Sequence, residues 1–199
     1  MTHYCIILFI RTVVKMYFED AVKAYVPMCE QEARDREFFL RFIAGNSNCL
    51  IRENDTAHFT ASSWIVNPER SKVLLVYHNI YGSWSWTGGH ADGESDLAAV
   101  ALREAKEETG IENARLVSPS PISLEILTVD GHMKRGEFVH SHLHLNLTYL
   151  IEADESEFIR IKADENSGVG WFTPEEMFNA VSEKWMAENI YKKLCERSL

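Results

Sequence analysis

The stretch Leu97–Thr109 narrows the choice of fold more than any other segment of this chain. It is entered from the loop Gly88-Gly89-His90-Ala91-Asp92-Gly93-Glu94 and closed by Gly110. Its apolar residues recur with a helical period, and a glycine directly after the last turn is a common helix stop. At about 100° per residue, Leu97, Val100 and Ala101 share one side, which is the side that packs. Glu104, Glu107 and Glu108 fall in the same sector further along, whereas Arg103 and Lys106 point elsewhere. A stripe that begins apolar therefore ends acidic, with carboxylates at i, i+3 and i+4. On a partly buried face such groups oppose one another's ionisation, and desolvation adds to the cost. A divalent oxygen-seeking cation removes the conflict, and Mg²⁺ or Mn²⁺ suits the donor set. A solvated helix end with a surface Arg103–Glu107 pair would explain an isolated E-A-K-E-E, but not the glycine loop before it.

Around this helix the chain alternates between helical and extended patterns. Residues 18–25 and 30–44 read as helices. The second carries a mixed-charge face (Glu32, Arg34, Asp35, Arg36, Glu37) against Phe38, Phe39, Phe42 and Ile43, and stops at Gly45. Residues 46–55 are polar enough for a linker. Strands are expected at 59–66, 73–77, 85–87, 122–129, 138–152 and 169–172, punctuated by Asn67-Pro68, Gly82-Ser83 and Asp130-Gly131. The segment 138–152 alternates, with Val139, Ser141, Leu143, Leu145, Leu147 and Tyr149 on one side. Thr173-Pro174-Glu175-Glu176 supplies a hydroxyl cap, a first-position proline and first-turn acids, so a helix starts there. A last helix covers 183–196. The fold class is α/β, with a mixed α/β domain over 56–199 and a mainly helical extension over 1–55. Within that extension, residues 1–15 read as a strand or an upstream addition. They lack the basic start and small-residue cleavage site of a signal peptide.

The loop and helix together resemble the signature of Nudix (MutT-like) hydrolases: a glycine-rich loop, a glutamate, a spacer, then R-E-x-x-E-E-x-G between apolar residues. Arg103, Glu104, Ala105, Glu107, Glu108, Gly110 and Ile111 reproduce its second half. Counted from Gly88 the first glutamate is Glu94, but eight residues rather than seven then separate it from Arg103; counted from Gly89 the glutamate position is Ser95. The loop thus carries one extra residue. The resemblance extends over 56–182 and implies an α/β/α sandwich with a mixed sheet. It also implies hydrolysis of the diphosphate linkage of a nucleoside diphosphate joined to another group, with Mg²⁺ or Mn²⁺ as cofactor. Glu104, Glu107 and Glu108 would then be metal ligands, with the Gly89 carbonyl a further one, and Arg103 would orient a box carboxylate. Glu104 is the first choice of general base. Glu165, in the polar loop 162–168, is the second. Substrate markers that such enzymes carry beyond the box, a proline or tyrosine about 15 residues downstream or S-Q-P-W after Gly110, are missing, so the leaving group stays open.

Three further groups invite a reading. Trp84 and Trp86 flank Ser85 and are expected on one strand face; such a pair more often belongs to the core, so stacking of a base or another flat group is read for at most one of them. His90 lies in the loop close to the expected phosphates. His140, His142 and His144 form H-x-H-x-H on the polar side of a strand. A metal or phosphate site there is outweighed by a solvated or cleft-lining face, because nothing nearby in the sequence completes a ligand set.

Composition removes several classes. The net charge of −10, from 20 Lys/Arg and 30 Asp/Glu, repels phosphate backbones and argues against bulk nucleic acid. A small phosphorylated substrate stays compatible if cations lie between the charges. No run approaches the roughly 20 apolar residues of a membrane span. Apolar content of 46%, with five Trp, seven Tyr and ten Phe, excludes a disordered chain. Cys5, Cys29, Cys49 and Cys195 are scattered, as reduced thiols of a cytoplasmic protein would be. Three alternatives compete with a hydrolase. One is an enzyme resembling isopentenyl diphosphate isomerase, whose cysteine motif is not visible here. Another is a non-catalytic nucleotide sensor. The third is an interaction module built on residues 16–45, a segment read instead as a homodimer contact or a lid.

Overall fold

The computed structural model describes residues 17–199 apart from Arg135. The expected extended segment at 1–15 and Cys5 lie outside them. Two helices come first, α1 (Phe18–Ala24) and α2 (Glu30–Gly45). The strands β1 (Ala57–Val66), β2 (Val73–His78), β3 (Ser83–Ser85) and β4 (Thr87–His90) then lead into α3 (Leu97–Thr109). Next come β5 (Arg115–Leu116), β6 (Ser123–Val129), β7 (His132–Lys134), β8 (Glu137–Val139), β9 (His142–Glu152) and β10 (Asn166–Phe172). Helix α4 (Pro174–Ala180) follows, then α5 (Lys184–Met186), which runs through a π turn at Ala187–Tyr191 into α6 (Lys192–Ser198).

The sheet order is β10-β2-β1-β9-β5, with β3 added to β2, β4 to β1 and β6 to β9. The β1–β9 pairing is parallel over ten residue pairs, from Ala57↔Leu143 to Val66↔Glu152, and the others are antiparallel. The result is the mixed sheet of an α/β/α sandwich.

Every residue of β1 is buried, so alternation along it sorts two interiors. Ala57, Phe59 and Ala61 pack with Leu97, Val100 and Ala101 of α3, with Leu145, Leu147 and Tyr149 of β9, and with Phe18, Ala21, Val22 and Phe39 of the N-terminal helices. Trp64 and Val66 face the other way, into a core with Met177, Val181, Ile190, Tyr191 and Leu194 from the C-terminal helices. Each buried Val, Leu, Ile, Phe or Met side chain among these contributes roughly 1.5–3 kcal/mol. Polar residues of the second face, Thr60, Ser62, Asn146 and Thr148, satisfy one another. Asn146 Oδ1 accepts from both Thr60 and Ser62, and Glu125 accepts from Asn146 and Thr148.

Local signals account for the helix ends. Asp96 accepts from the Ala99 N–H at 3.1 Å, and Gly110 takes a left-handed conformation (φ 76°) with its N–H on the Lys106 carbonyl. Thr173 caps the start of α4 as anticipated, and Glu176 completes a reciprocal capping box with it.

Three expectations are corrected. The strand expected at 85–87 is two strands, because the chain changes partner from β2 to β1 at Trp86, so Trp84 and Trp86 do not share a strand. The segment 138–152 is also divided. Residues 137–139 pair with β7 in a separate hairpin, and β9 starts only at His142. The polar segment 46–55 is not a free linker: Cys49 and Asn54 are buried, and the Leu50 carbonyl accepts from the Gly93 N–H.

Candidate active site

The acidic stripe of α3 lies against the glycine strand. Glu108 is 3% exposed and accepts from the Gly88 N–H at 2.8 Å. Glu104 stands against Gly89, so closely that a Cβ on that glycine would come within 2.6 Å of the Glu104 carboxyl carbon. Burial raises the pKa of both. Glu104 is raised further by Glu107 beside it, and Glu108 is pushed up to about 8 even though the Gly88 N–H opposes the shift. Glu107, with a side chain 48% exposed, turns outward to Arg103 (3.9 Å) and Lys162 (3.5 Å). The three carboxylates share the sector the helical period assigns them, without closing on one point.

Arg103 lies 3.3 Å from Glu104 and 3.9 Å from Glu107. Glu165 is brought to the same place from its distant loop. Lys162 bridges it (3.1 Å) to Glu107, and its charge acts on Glu108. Asn166, at the start of β10, anchors this loop by donating to the Glu108 carbonyl at 3.0 Å.

Sequence reasoning missed Arg52. It forms a two-point pair with Asp92 of the glycine loop (2.7 and 2.6 Å), and Glu104 and Glu165 help to raise its pKa, after the Asp92 hydrogen bond. No sequence signal marks it, since it sits in the segment read as a linker, 40 residues from its partner. After β4 the loop turns at residues 91–94, where the Glu94 N–H donates to the Ala91 carbonyl at 2.9 Å. There Asp92 and Gly93 both take positive φ (47° and 87°), and Glu94 accepts from the Asp96 N–H at 2.9 Å.

The aromatic pair divides. Trp86 is 8% exposed and packs edge-on against Tyr191 in the C-terminal core. Trp84 is half-buried, against Phe172 and Tyr77.

His90 alternates with Gly89 along β4 and joins His58, His142 and His144, whose ligand nitrogens all lie within 4.8 Å of one another. Of the expected solvated or cleft-lining face, the premise that no partners lie nearby is corrected, since β1 and β4 supply partners that sequence proximity did not. His140 stays outside the cluster, 3.5 Å from Asp55. Burial, with the neighbouring imidazoles, holds His144 down to about 2.

The NUDIX domain model matches residues 56–194, and the chain belongs to that family. A CMP-5'-(N-acetyl-N-hydroxy-3-aminopropyl)phosphonate hydrolase of Streptomyces rubellomurinus is 42% identical over 50 residues. That match covers 23% of this chain and 24% of the relative, so the chain spans only about a quarter of its length. Among solved structures, a NUDIX-family hydrolase from Clostridium perfringens is 26% identical with a TM-score of 0.49, covering 69% of this chain and 95% of that one. The dihydroneopterin triphosphate pyrophosphohydrolase of E. coli is 13% identical with a TM-score of 0.50, covering 67% and 92%, a likeness of fold.

Proposed function

We propose that the protein is a metal-dependent hydrolase of a diphosphate linkage in a nucleotide-derived small molecule. The observation that carries this reading is the seating of Glu104, half-buried, and Glu108, buried, both raised in pKa, against the backbone of Gly88 and Gly89. An all-oxygen donor set under like-charge and desolvation stress fits Mg²⁺ or Mn²⁺. Glu104, Glu107, Glu108 and the Gly89 carbonyl would hold the ion. When bound, it neutralises the diphosphate oxygens and the departing phosphate.

The protein's own groups divide the remaining work. Glu104 takes the proton of the attacking water, with Glu165 as the second candidate for that role. Arg103 orients Glu104 and Glu107. Arg52 and Lys162 flank the carboxylates and meet the substrate phosphates, and His90 would approach them from the loop. Trp84, the less buried of the two tryptophans, stacks the base or another flat group. The name of the Streptomyces relative, a hydrolase of a CMP-linked phosphonate, supports a nucleotide-linked substrate.

Residues 1–55 form the extension to a domain over 56–199, and we read α1 and α2 as a homodimer contact. Because Phe18 and Phe39 enter the core, sedimentation of the full chain is the fair test. No helix among the described residues is long and apolar enough to cross a membrane. The free thiols of Cys29, Cys49 and Cys195 support a cytoplasmic setting.

The hydrolase reading is tested by a phosphate-release screen of nucleoside triphosphates, ADP-ribose, other nucleotide sugars, dinucleotides and prenyl diphosphates, with Mg²⁺, with Mn²⁺ and with EDTA. Metal-dependent cleavage of one class is expected. Glu104→Gln should keep substrate binding and lose about 10²–10⁴-fold in turnover. Near-normal turnover in that variant would remove Glu104 from its role. Metal-dependent binding without cleavage would favour the isomerase or the sensor.

A further inference from the structure

We propose that His58, His90, His142 and His144 form a second metal site, a four-imidazole centre for a late first-row divalent ion of the zinc class. It stands apart from the glutamate helix and does not rest on the hydrolase reading; where it is occupied, His90 ligates the ion in place of approaching the phosphates. The four rings come from three adjacent strands. His58 and His144 are register partners on the parallel β1–β9 pair, His142 lies two residues before His144 on the same face, and His90 stands opposite Thr60 on β4. Their ligand nitrogens lie within 4.8 Å of one another, and His142 Nε2 is 3.2 Å from His144 Nε2. Zn–N bonds of about 2.0–2.1 Å in a tetrahedron require N···N edges of about 3.3–3.4 Å. One edge is already at that length, and small side-chain rotations bring in the rest.

Orientation points the same way. His58 Nδ1 lies 3.0 Å from the Asn54 carbonyl, and His142 Nδ1 lies 2.9 Å from the His140 carbonyl. A carbonyl only accepts, so each Nδ1 carries the proton and each Nε2 presents a lone pair, as a metal-ligating histidine does. His58 is 4% exposed, and its Nε2 is buried with no hydrogen-bond partner among the described residues. A chain of imidazole hydrogen bonds would account for the His142–His144 contact. It would leave that buried acceptor unsatisfied, at a cost proteins rarely accept. An ion at the centre satisfies it.

The donor chemistry selects the occupant. Four neutral nitrogens suit Zn²⁺ and its neighbours, whereas Mg²⁺ and Mn²⁺ prefer the oxygens of α3. The nearby charge of Arg52 is matched by its two-point pair with Asp92. Four protein ligands close the coordination sphere, so the site is structural. It would tie β4 to β1 and β9, and so fix the strand whose Gly88 and Gly89 seat Glu108 and Glu104.

The test uses untagged, chelator-stripped full-length protein titrated with Zn²⁺ near neutral pH. One equivalent should bind with sub-micromolar affinity, and Tm should rise by about 5–10 °C at a hundredfold excess over Kd. Losing even an outer partner of a ligand weakens metal binding about 10–100-fold. His142→Ala and His144→Ala should each therefore weaken it by at least about 100-fold. The combined Glu104→Gln, Glu107→Gln, Glu108→Gln variant should bind Zn²⁺ as the wild type does. X-ray absorption of the zinc-loaded wild type, which needs no variant to fold, should show a nitrogen shell with imidazole scattering. The proposal is overturned by the absence of stoichiometric Zn²⁺ binding. It is equally overturned by a carboxylate-oxygen shell, or by binding lost in the glutamate variant and kept in the histidine variants.

Discussion

Replacing Gly89 by alanine separates positioning of the site from stability of the fold. Gly89 is not among the glycines with positive φ, so its backbone accepts alanine without strain. The added Cβ meets Glu104 instead, at 2.6 Å from Cδ and 2.8 Å from Cγ and Oε1. An ordinary contact begins near 3.4 Å, so the carboxylate must retreat by about 0.8 Å. Misplacing a catalytic group by about 1 Å costs on the order of 10²-fold in rate. Because the displaced atoms end a flexible side chain, stability should change by less than about 1 kcal/mol. Gly88→Ala is the contrasting case. Its Cβ would lie 2.7 Å from the Ala61 carbonyl oxygen and 3.0 Å from Ser62 Cα, backbone of β1 that cannot give way. That variant should lose about 1–3 kcal/mol of stability. The assays are kcat/KM on a cleaved substrate and thermal unfolding. Full activity in Gly89→Ala would refute the placement of Glu104, and a large fall in its Tm would refute the local character of the displacement.

Further expectations concern the polar network and the aromatic pair. Arg197→Ala strands the buried Glu32 carboxylate, which Arg197 contacts at 2.5 Å; urea unfolding should show a loss of about 3 kcal/mol, the lower end for a broken buried pair, because Lys193 remains at 3.1 Å. Burial alone would raise the Glu32 pKa, but hydrogen bonds from Arg197 and the Met28 N–H lower it from 4.5 to about 2. A depressed carboxyl contributes stability above its unfolded pKa, here about 3 kcal/mol, and loses it as pH falls from about 4.5 to about 2. The stability gap between wild type and Glu32→Gln should therefore close over that window; a gap that does not change with pH would contradict the assignment. Trp84→Ala should raise KM with kcat little changed, by the roughly 1–3 kcal/mol of a stacked base. Trp86→Ala should instead lower Tm, and the reverse pattern would exchange the two roles.

Local chemistry was readable where it was decided locally. The ends of α3 and α4 follow from Gly110 and from Thr173 with Glu176, and the acidic sector of α3 follows from its period. What the chain hides is decided across the sheet. Trp86 leaves the strand of Trp84 because the chain changes partner there, although both side chains pack against the same C-terminal core, and propensity carries no trace of which partner it will choose. His58 reaches His142 and His144 through the parallel β1–β9 register, a pairing 86 residues apart at His58↔His144, and His90 joins them through the antiparallel β1–β4 pairing. Arg52 belongs to the site through a single long-range pair with Asp92, and a polar stretch looks like a linker until its carbonyls find partners.

Isotope tracing offers the most direct trial of water attack at the glutamate helix. Purified protein is given the screened diphosphates in H₂¹⁸O with Mg²⁺, and the phosphate-bearing products are weighed by mass spectrometry. One ¹⁸O per cleavage event should enter a single product, and labelling should vanish with EDTA and in Glu107→Gln. Unlabelled products, or labelling undiminished by EDTA and by Glu107→Gln, would contradict hydrolysis at this site.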